Sequence, residues 1–245
     1  MEKVEKIVII PARLESKRLP RKMLLEVKGK PLLYYTWKSA VKSGFRVVIA
    51  TDSGLIKEEL EKFGAEVVIT GPAGCGTDRV AQAVDMLGVG DEVIVVNLQG
   101  DEPFIDSELV KDVAEEVAGL EDKVIATAAT YLSEDEAQNP AKVKVVLNKD
   151  GYAMYFSRAA IPFAREERKE GFLLHVGIYA YRVSTLRAIS RLEVCDLEET
   201  EKLEQLRWMW HGYPVKVVYT SYKPFGVDTL EDFEHFKMFV EKNQK

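Results

Sequence analysis

Short blocks of consecutive apolar residues alternate along the chain with longer stretches in which apolar positions recur every three or four residues. Segments 7–10, 47–50, 67–69 and 93–96 contain no polar residue, and 124–129 contains only Thr127. Runs this short and this apolar predict strands covered on both faces, as in the interior of a parallel sheet. The first is expected to stop at Pro11, which has no N–H for a sheet ladder. Between the strands, Leu32, Leu33, Tyr35, Thr36 and Ala40 fall at helical spacing, with Pro31 in the first turn and Gly44 just beyond the end. Helices are likewise expected over 55–63, stopped by Gly64, and over 80–87 and 107–117. The β-α-β-α-β order predicts an α/β fold with a mostly parallel sheet and right-handed crossovers.

The texture changes after residue 140. Segment 144–156 has the pattern of a hairpin closed by Asp150-Gly151, which introduces antiparallel pairing. Ser157-Arg158 ends it, the charged run 165–170 is expected as an exposed loop, and 173–181 is a strand carrying His175. One helix is expected from about 200 to 211, with Leu203, Leu206 and Trp210 inward and Glu204, Gln205 and Arg207 on other faces. A last strand at 215–219 leads through Gly226-Val227-Asp228-Thr229 to a terminal helix with Phe233, Phe236 and Val240 on one side. The chain is expected as one domain over 1–245, with approximately 140–222 as an antiparallel sub-region.

Composition narrows the functions open to such a fold. With 47% hydrophobic and 30% charged residues the chain can bury a core, and its net charge of −6 argues against an extended nucleic-acid face. No apolar run approaches the ~20 residues that span a bilayer, and residues 1–6 lack a signal peptide's apolar core, so a cytoplasmic protein with no membrane partner is expected. Cys75 and Cys195 have no metal-site spacing and are expected as free thiols.

Three segments carry candidate chemistry. After the 93–96 strand comes Gln99-Gly100-Asp101-Glu102-Pro103, where Gly100 permits a sharp turn and two carboxylates reach the carboxyl end of the sheet. Hard oxygen donors there suit Mg²⁺ bridging to a phosphate, or an acidic turn capping the following helix. After the first strand, Arg13, Lys17, Arg18, Arg21 and Lys22 face a single acid, Glu15, with no glycine between Pro11 and Lys22. The loop is therefore no P-loop or dinucleotide fingerprint; it is a side-chain phosphate cradle or a solvated basic loop. Third, the glycine-rich segment 70–79 enters a helix, as either a ligand loop or a plain turn.

Eight motifs, in order, resemble the 3-deoxy-manno-octulosonate (Kdo) cytidylyltransferases. They are Ile-Pro-Ala-Arg at 10–13, Arg-Leu-Pro-Arg-Lys at 18–22, Gly-Thr-Asp-Arg at 76–79, Gln-Gly-Asp-Glu-Pro at 99–103, Tyr-Phe-Ser-Arg at 155–158, His-Val-Gly-Ile-Tyr at 175–179, Leu-Glu-Gln-Leu-Arg at 203–207 and Gly-Val-Asp-Thr at 226–229. The resemblance implies a Rossmann-like, glycosyltransferase-A-like nucleotidyltransferase fold and cytidylyl transfer from CTP to the anomeric hydroxyl of Kdo. It assigns Arg13 and Lys22 to the triphosphate, Arg79 and Gln99 to the nucleotide side, and Asp101 and Asp228 to Mg²⁺. Arg158, His175, Glu204 and Gln205 go to the sugar acid. It also implies a homodimer through the antiparallel sub-region and a role in lipopolysaccharide synthesis. The chain departs from the family pattern at Cys75 (commonly Ser), Arg21 (commonly Gly) and Met23 (commonly Pro). Two rivals share these motifs: a cytidylyltransferase for 8-amino-Kdo or sialic acid, and a non-catalytic sugar-nucleotide binding protein.

Overall fold

The computed structural model describes residues 4–16, 18–166 and 171–243, so Lys17 and part of the 165–170 run lie outside the described residues. In chain order the strands are β1 (Lys6–Ala12), β2 (Glu26–Val27), β3 (Lys30–Pro31), β4 (Arg46–Thr51), β5 (Glu66–Ile69), β6 (Ile94–Leu98), β7 (Ile125–Leu132), β8 (Lys144–Leu147), β9 (Ala153–Ser157), β10 (Phe172–Arg182) and β11 (Val215–Tyr219). The helices are α1 (Leu32–Val41), α2 (Gly54–Glu61), α3 (Gly76–Met86), α4 (Ser107–Ala118), α5 (Glu134–Ala137), α6 (Val183–Ile189), α7 (Asp196–Glu201), α8 (Gln205–Trp210) and α9 (Leu230–Asn243).

The main sheet runs β11-β7-β10-β6-β1-β4-β5, with β8 paired to β10 and β9 paired to β8. Parallel pairing joins β6, β1, β4 and β5, as the alternation of elements predicts, and β11 lies parallel to β7. Strand β10 is antiparallel to both β6 and β7 and separates them. Alternation across the pleat explains the apolar runs. Val8, Ile10 and Ala12 of β1 face the layer of α1, α2 and α4, whereas Ile7 and Ile9 face the layer of α3, α6 and α8. Each fully buried Ile or Val contributes about 1.5–3 kcal/mol, so a polar residue on either face would be costly.

Three local expectations are corrected. Strand β1 does not stop at Pro11 but continues to Ala12, paired with β4 through Ala12↔Thr51. Its pairing with β6 ends at Ile9, so beyond that point one edge has no ladder for a missing N–H to interrupt. Helix α3 begins at Gly76 rather than Val80, because the Cys75 sulfur accepts the Asp78 N–H as an N-cap. The helix expected over 200–211 is two helices, α7 and α8, divided by Lys202 in the left-handed region (φ 53°). The break rotates the second helix: Leu203 and Leu206 do face inward, but Trp208 is fully buried and Trp210 is 65% exposed. Gln205 and Arg207, expected on other faces, are buried.

Candidate active site

The carboxyl ends of β1 and β6 open onto a cavity of about 570 Å³. Its floor is the turn after β6. Thr36 Oγ1 donates to the Gly100 carbonyl and Ser39 Oγ to the Pro103 carbonyl, both at 2.8 Å, so α1 fixes the turn from below. A Cβ on Gly100 would stand 3.2 Å from both Leu33 Cδ1 and Met23 Cε, so the close approach depends on glycine and Met23 packs directly beneath it.

Asp101 points into the cavity and meets Asp228 across Lys22. The Lys22 ammonium donates to Asp101 Oδ2 at 2.6 Å and to Asp228 Oδ1 at 3.0 Å, and Arg18 Nη2 reaches the same Asp228 oxygen at 2.8 Å. Burial pulls the Lys22 pKa down, but the charges and hydrogen bonds of the two aspartates outweigh it and the net shift is upward. Lys22 is held there by a single 3-10 turn, Lys22–Leu24, preceded by Arg21 in the left-handed region at φ 52°. That backbone accounts for the glycine commonly found at this place in the family, and Arg21 adopts it at a cost of about 1 kcal/mol.

Arg13, Gln99 and Arg79 also line the cavity, with Gly74, Cys75 and Gly76 of the glycine-rich loop. An adjoining space of about 780 Å³ shares Arg13 and Arg79 and extends to Asp52 and Pro72. Arg79 is buried and already committed: it donates to Thr70 Oγ1 and Asp52 Oδ2, each at 2.6 Å, so it braces two loops at the rim. Two carboxylates from distant segments that converge on one cation, among basic side chains, fit a divalent ion bound through one or two carboxylates and substrate phosphate. Both free cysteines, Cys75 and Cys195, match the expectation for thiols.

The residues assigned to the sugar acid lie beyond the glycine-rich loop. Glu204 accepts hydrogen bonds from Cys75 Sγ at 3.0 Å, Thr77 Oγ1 at 2.9 Å and Arg207 Nη2 at 3.0 Å. Its carboxyl pKa is raised by burial against the opposing pull of those donors. Gln205 is buried beside it. His175 stands next to the bulge between Val176 and Tyr179, its ring 5.0 Å from Phe156 and 5.4 Å from Tyr179. Arg158 is not among the residues lining either space. Its Nε donates to the Glu201 carbonyl at 2.7 Å and its Nη1 to the Pro140 carbonyl at 3.1 Å, which ties it to the chain leading into Glu204.

Glu102, the second carboxylate of the acidic turn, faces away from the cavity. Its Oε2 accepts the Tyr222 hydroxyl at 2.9 Å and the Phe225 N–H at 3.1 Å. Burial and the neighbouring Asp101 charge push its pKa up to about 7. Sequence reasoning missed Tyr222, Asp52 and the Cys75–Glu204 contact, because a lone Tyr, Asp or Cys in a loop has no spacing that marks it.

Burial also pushes the His175 pKa down to about 3. The folded state then holds the neutral imidazole while the unfolded chain, with a His pKa of about 6.5, takes up a proton as pH falls. The stability contributed by the neutral ring is complete above about pH 6.5 and declines through the acid range, by at most about 2 kcal/mol at pH 5. His175→Gln removes this slope, so the loss of urea stability between about pH 7.5 and pH 5 should be smaller in the variant. An equal loss in both proteins would show that His175 is not the group responsible.

Comparison with known proteins shows the family. A family model described as cytidylyltransferase matches residues 7–221. The chain is 44% identical to a 3-deoxy-manno-octulosonate cytidylyltransferase of Francisella tularensis subsp. novicida over 237 residues, covering 93% of this chain and 95% of that one. It is 45% identical to the protein of that name from Halorhodospira halophila over 240 residues, covering 93% of each. A solved structure of CMP:2-keto-3-deoxy-manno-octonic acid synthetase complexed with CTP superposes with a TM-score of 0.90 at 34% identity, covering 97% of this chain and 99% of that one. The chain therefore belongs to the cytidylyltransferase family, among the 3-deoxy-manno-octulosonate cytidylyltransferases.

Proposed function

We propose that this enzyme transfers the cytidylyl group of CTP to the anomeric hydroxyl of Kdo, giving CMP-Kdo and pyrophosphate for lipopolysaccharide synthesis in the cytoplasm. The observation that carries the reading is the meeting of Asp101, Asp228 and Lys22 in one cavity rimmed by Arg13 and Arg18. In the transfer, a bond forms from the sugar's anomeric oxygen to the α-phosphorus and the α–β bridging P–O bond breaks. Pyrophosphate departs and the hydroxyl proton passes to solvent. Such chemistry asks chiefly for positioning and charge neutralisation.

Arg13 and Lys22 orient the triphosphate, and Lys22 meets the charge that grows on the departing pyrophosphate. Asp101 and Asp228 would hold Mg²⁺, which when bound neutralises charge at the α-phosphate. Gln99 and Arg79 border the nucleotide. His175 packs against Tyr179, and Tyr179 also feels the Glu204 charge, which supports placing the two on a common acceptor side with Gln205, the residue after Glu204. Exposed Met154, Trp210 and Tyr219 support a homodimer through 140–222, whereas Phe156 and Trp208, also aromatic in that segment, are spent in the core.

Incubation with CTP, Mg²⁺ and Kdo should release pyrophosphate and form CMP-Kdo. Parallel reactions with 8-amino-Kdo and sialic acid test the rival acceptors, and absence of pyrophosphate release with every acid would overturn the reading. Arg158 supplies a finer test. Lysine at this position keeps the charge but cannot hold the Glu201 and Pro140 carbonyls together or fork a carboxylate. Arg158→Lys should raise the KM for the sugar acid roughly tenfold and leave the KM for CTP unchanged. A rise confined to the KM for CTP would remove Arg158 from the acceptor side.

A further inference from the structure

Residues 220–228 form neither helix nor strand, yet they deliver Asp228 to the cavity. Something other than a backbone ladder must therefore fix where that carboxylate stands. The segment leaves β11 at Tyr219 and is next held at Thr220, whose N–H reaches the Ala129 carbonyl at 3.0 Å. Its far end is held by Asp232, whose Oδ2 accepts the Asp228 and Thr229 N–H groups at 3.0 and 2.8 Å. Between these ends the contacts to the acidic turn are the Val227 N–H to the Asp101 carbonyl at 3.0 Å and the two donors, Tyr222 Oη and the Phe225 N–H, that converge on Glu102 Oε2. Phe225 also meets Phe104, two residues beyond Glu102, edge to face at 5.4 Å.

We infer that Glu102 is a positioning residue for the transfer reaction: it clamps the 220–228 strap through Tyr222 and Phe225 so that Asp228 is held opposite Asp101. Adjacent residues thus divide the work. Asp101 presents its carboxylate to the cavity, and Glu102 turns the other way to hold the segment that brings the second carboxylate. Both hydrogen bonds end on one oxygen, Oε2, so the clamp needs an acceptor at that place and not a negative charge. The inference rests on the reading of Asp228 as a working carboxylate of the site.

The test uses the full-length protein without ligand for amide exchange, and with CTP, Mg²⁺ and Kdo for turnover. Glu102→Ala strands both donors, and should accelerate exchange of the Phe225 and Val227 amides roughly tenfold or more while β1 and β6 stay protected. In the same variant kcat should fall by about 10–100-fold with little change in the KM for Kdo. Glu102→Gln keeps a carbonyl oxygen for both donors and should restore kcat and exchange to within about threefold of the parent. Tyr222→Phe removes one donor without disturbing any carboxylate and should give the alanine pattern at smaller amplitude, which covers the case in which Glu102→Ala fails to fold. Unchanged exchange at Phe225 and Val227 in Glu102→Ala, or a glutamine variant as impaired as alanine, would overturn the inference. If the strap loosens and kcat is unaffected, Asp228→Asn decides where the failure lies: an active Asp228→Asn overturns the reading of the site, and an inactive one overturns the clamp.

Discussion

Asp101→Asn and Asp228→Asn should each lower turnover by a factor on the order of a thousand or more while the protein remains folded. The substitution is nearly isosteric, so the cavity keeps its shape and loses one negative charge from the pair that lines it. A thousandfold corresponds to about 4 kcal/mol of transition-state stabilisation, the scale of losing one charged ligand of a divalent ion. The fold has little at stake. The Asp228 side chain is 42% exposed, its exposed ion pair with Arg18 contributes about 0–1 kcal/mol, and in its variant the buried Lys22 keeps Asp101 as a partner. Asp101 is less exposed, at 26%, but in its variant Lys22 still has Asp228 as a partner. Initial rates at saturating Mg²⁺, taken beside thermal unfolding curves, measure both halves of the expectation. Near-normal turnover in either variant would remove that aspartate from the metal site.

Much of the parallel half of the fold was legible because its signals are local. Four apolar runs set the strands β1, β4, β5 and β6, and Gly44 and Gly64, at φ 78° and 82°, follow the helices between them. The position of Asp101 also followed from local features, since a buried strand ending in Gly-Asp can direct that carboxylate only to the sheet's carboxyl edge. The insertion of antiparallel β10 between β6 and β7 was not legible: strand order depends on packing between segments far apart in sequence, and β10 is rich in buried apolar residues, as β6 and β7 are. Nor does a sequence show that Glu102 turns away from Asp101, because the difference lies in the donors offered by Tyr222 and Phe225 more than a hundred positions later. The break at Lys202 was hidden for a third reason. A lysine in the left-handed region has no compositional mark, and one residue there re-aims Trp208 and Trp210. The residues proposed for the acceptor side, Arg158, His175, Glu204 and Gln205, are of ordinary type at ordinary places, and only their membership of the eight motifs singled them out.

Lys22→Ala separates the counter-ion role that the geometry gives this ammonium from its proposed stabilisation of the leaving pyrophosphate. With no nucleotide bound, Lys22 is the shared counter-ion of Asp101 and Asp228, and its removal leaves those carboxylates, among the described residues, with Arg18 as their cation, paired to Asp228. If that were its whole role, raising Mg²⁺ would replace the missing charge and restore the rate. Stabilisation of the departing pyrophosphate is different, because it concerns charge that develops only as the α–β bridging bond breaks, on the oxygen that leaves with the pyrophosphate. Lys22→Ala is therefore expected to lower kcat by about a hundredfold or more, to leave the KM for Kdo within about threefold, and to resist rescue by excess Mg²⁺. The measurement is a matrix of initial rates over CTP, Kdo and Mg²⁺. Full recovery at high Mg²⁺ would reduce Lys22 to a counter-ion for the aspartates, and an unchanged kcat would remove it from the chemistry altogether.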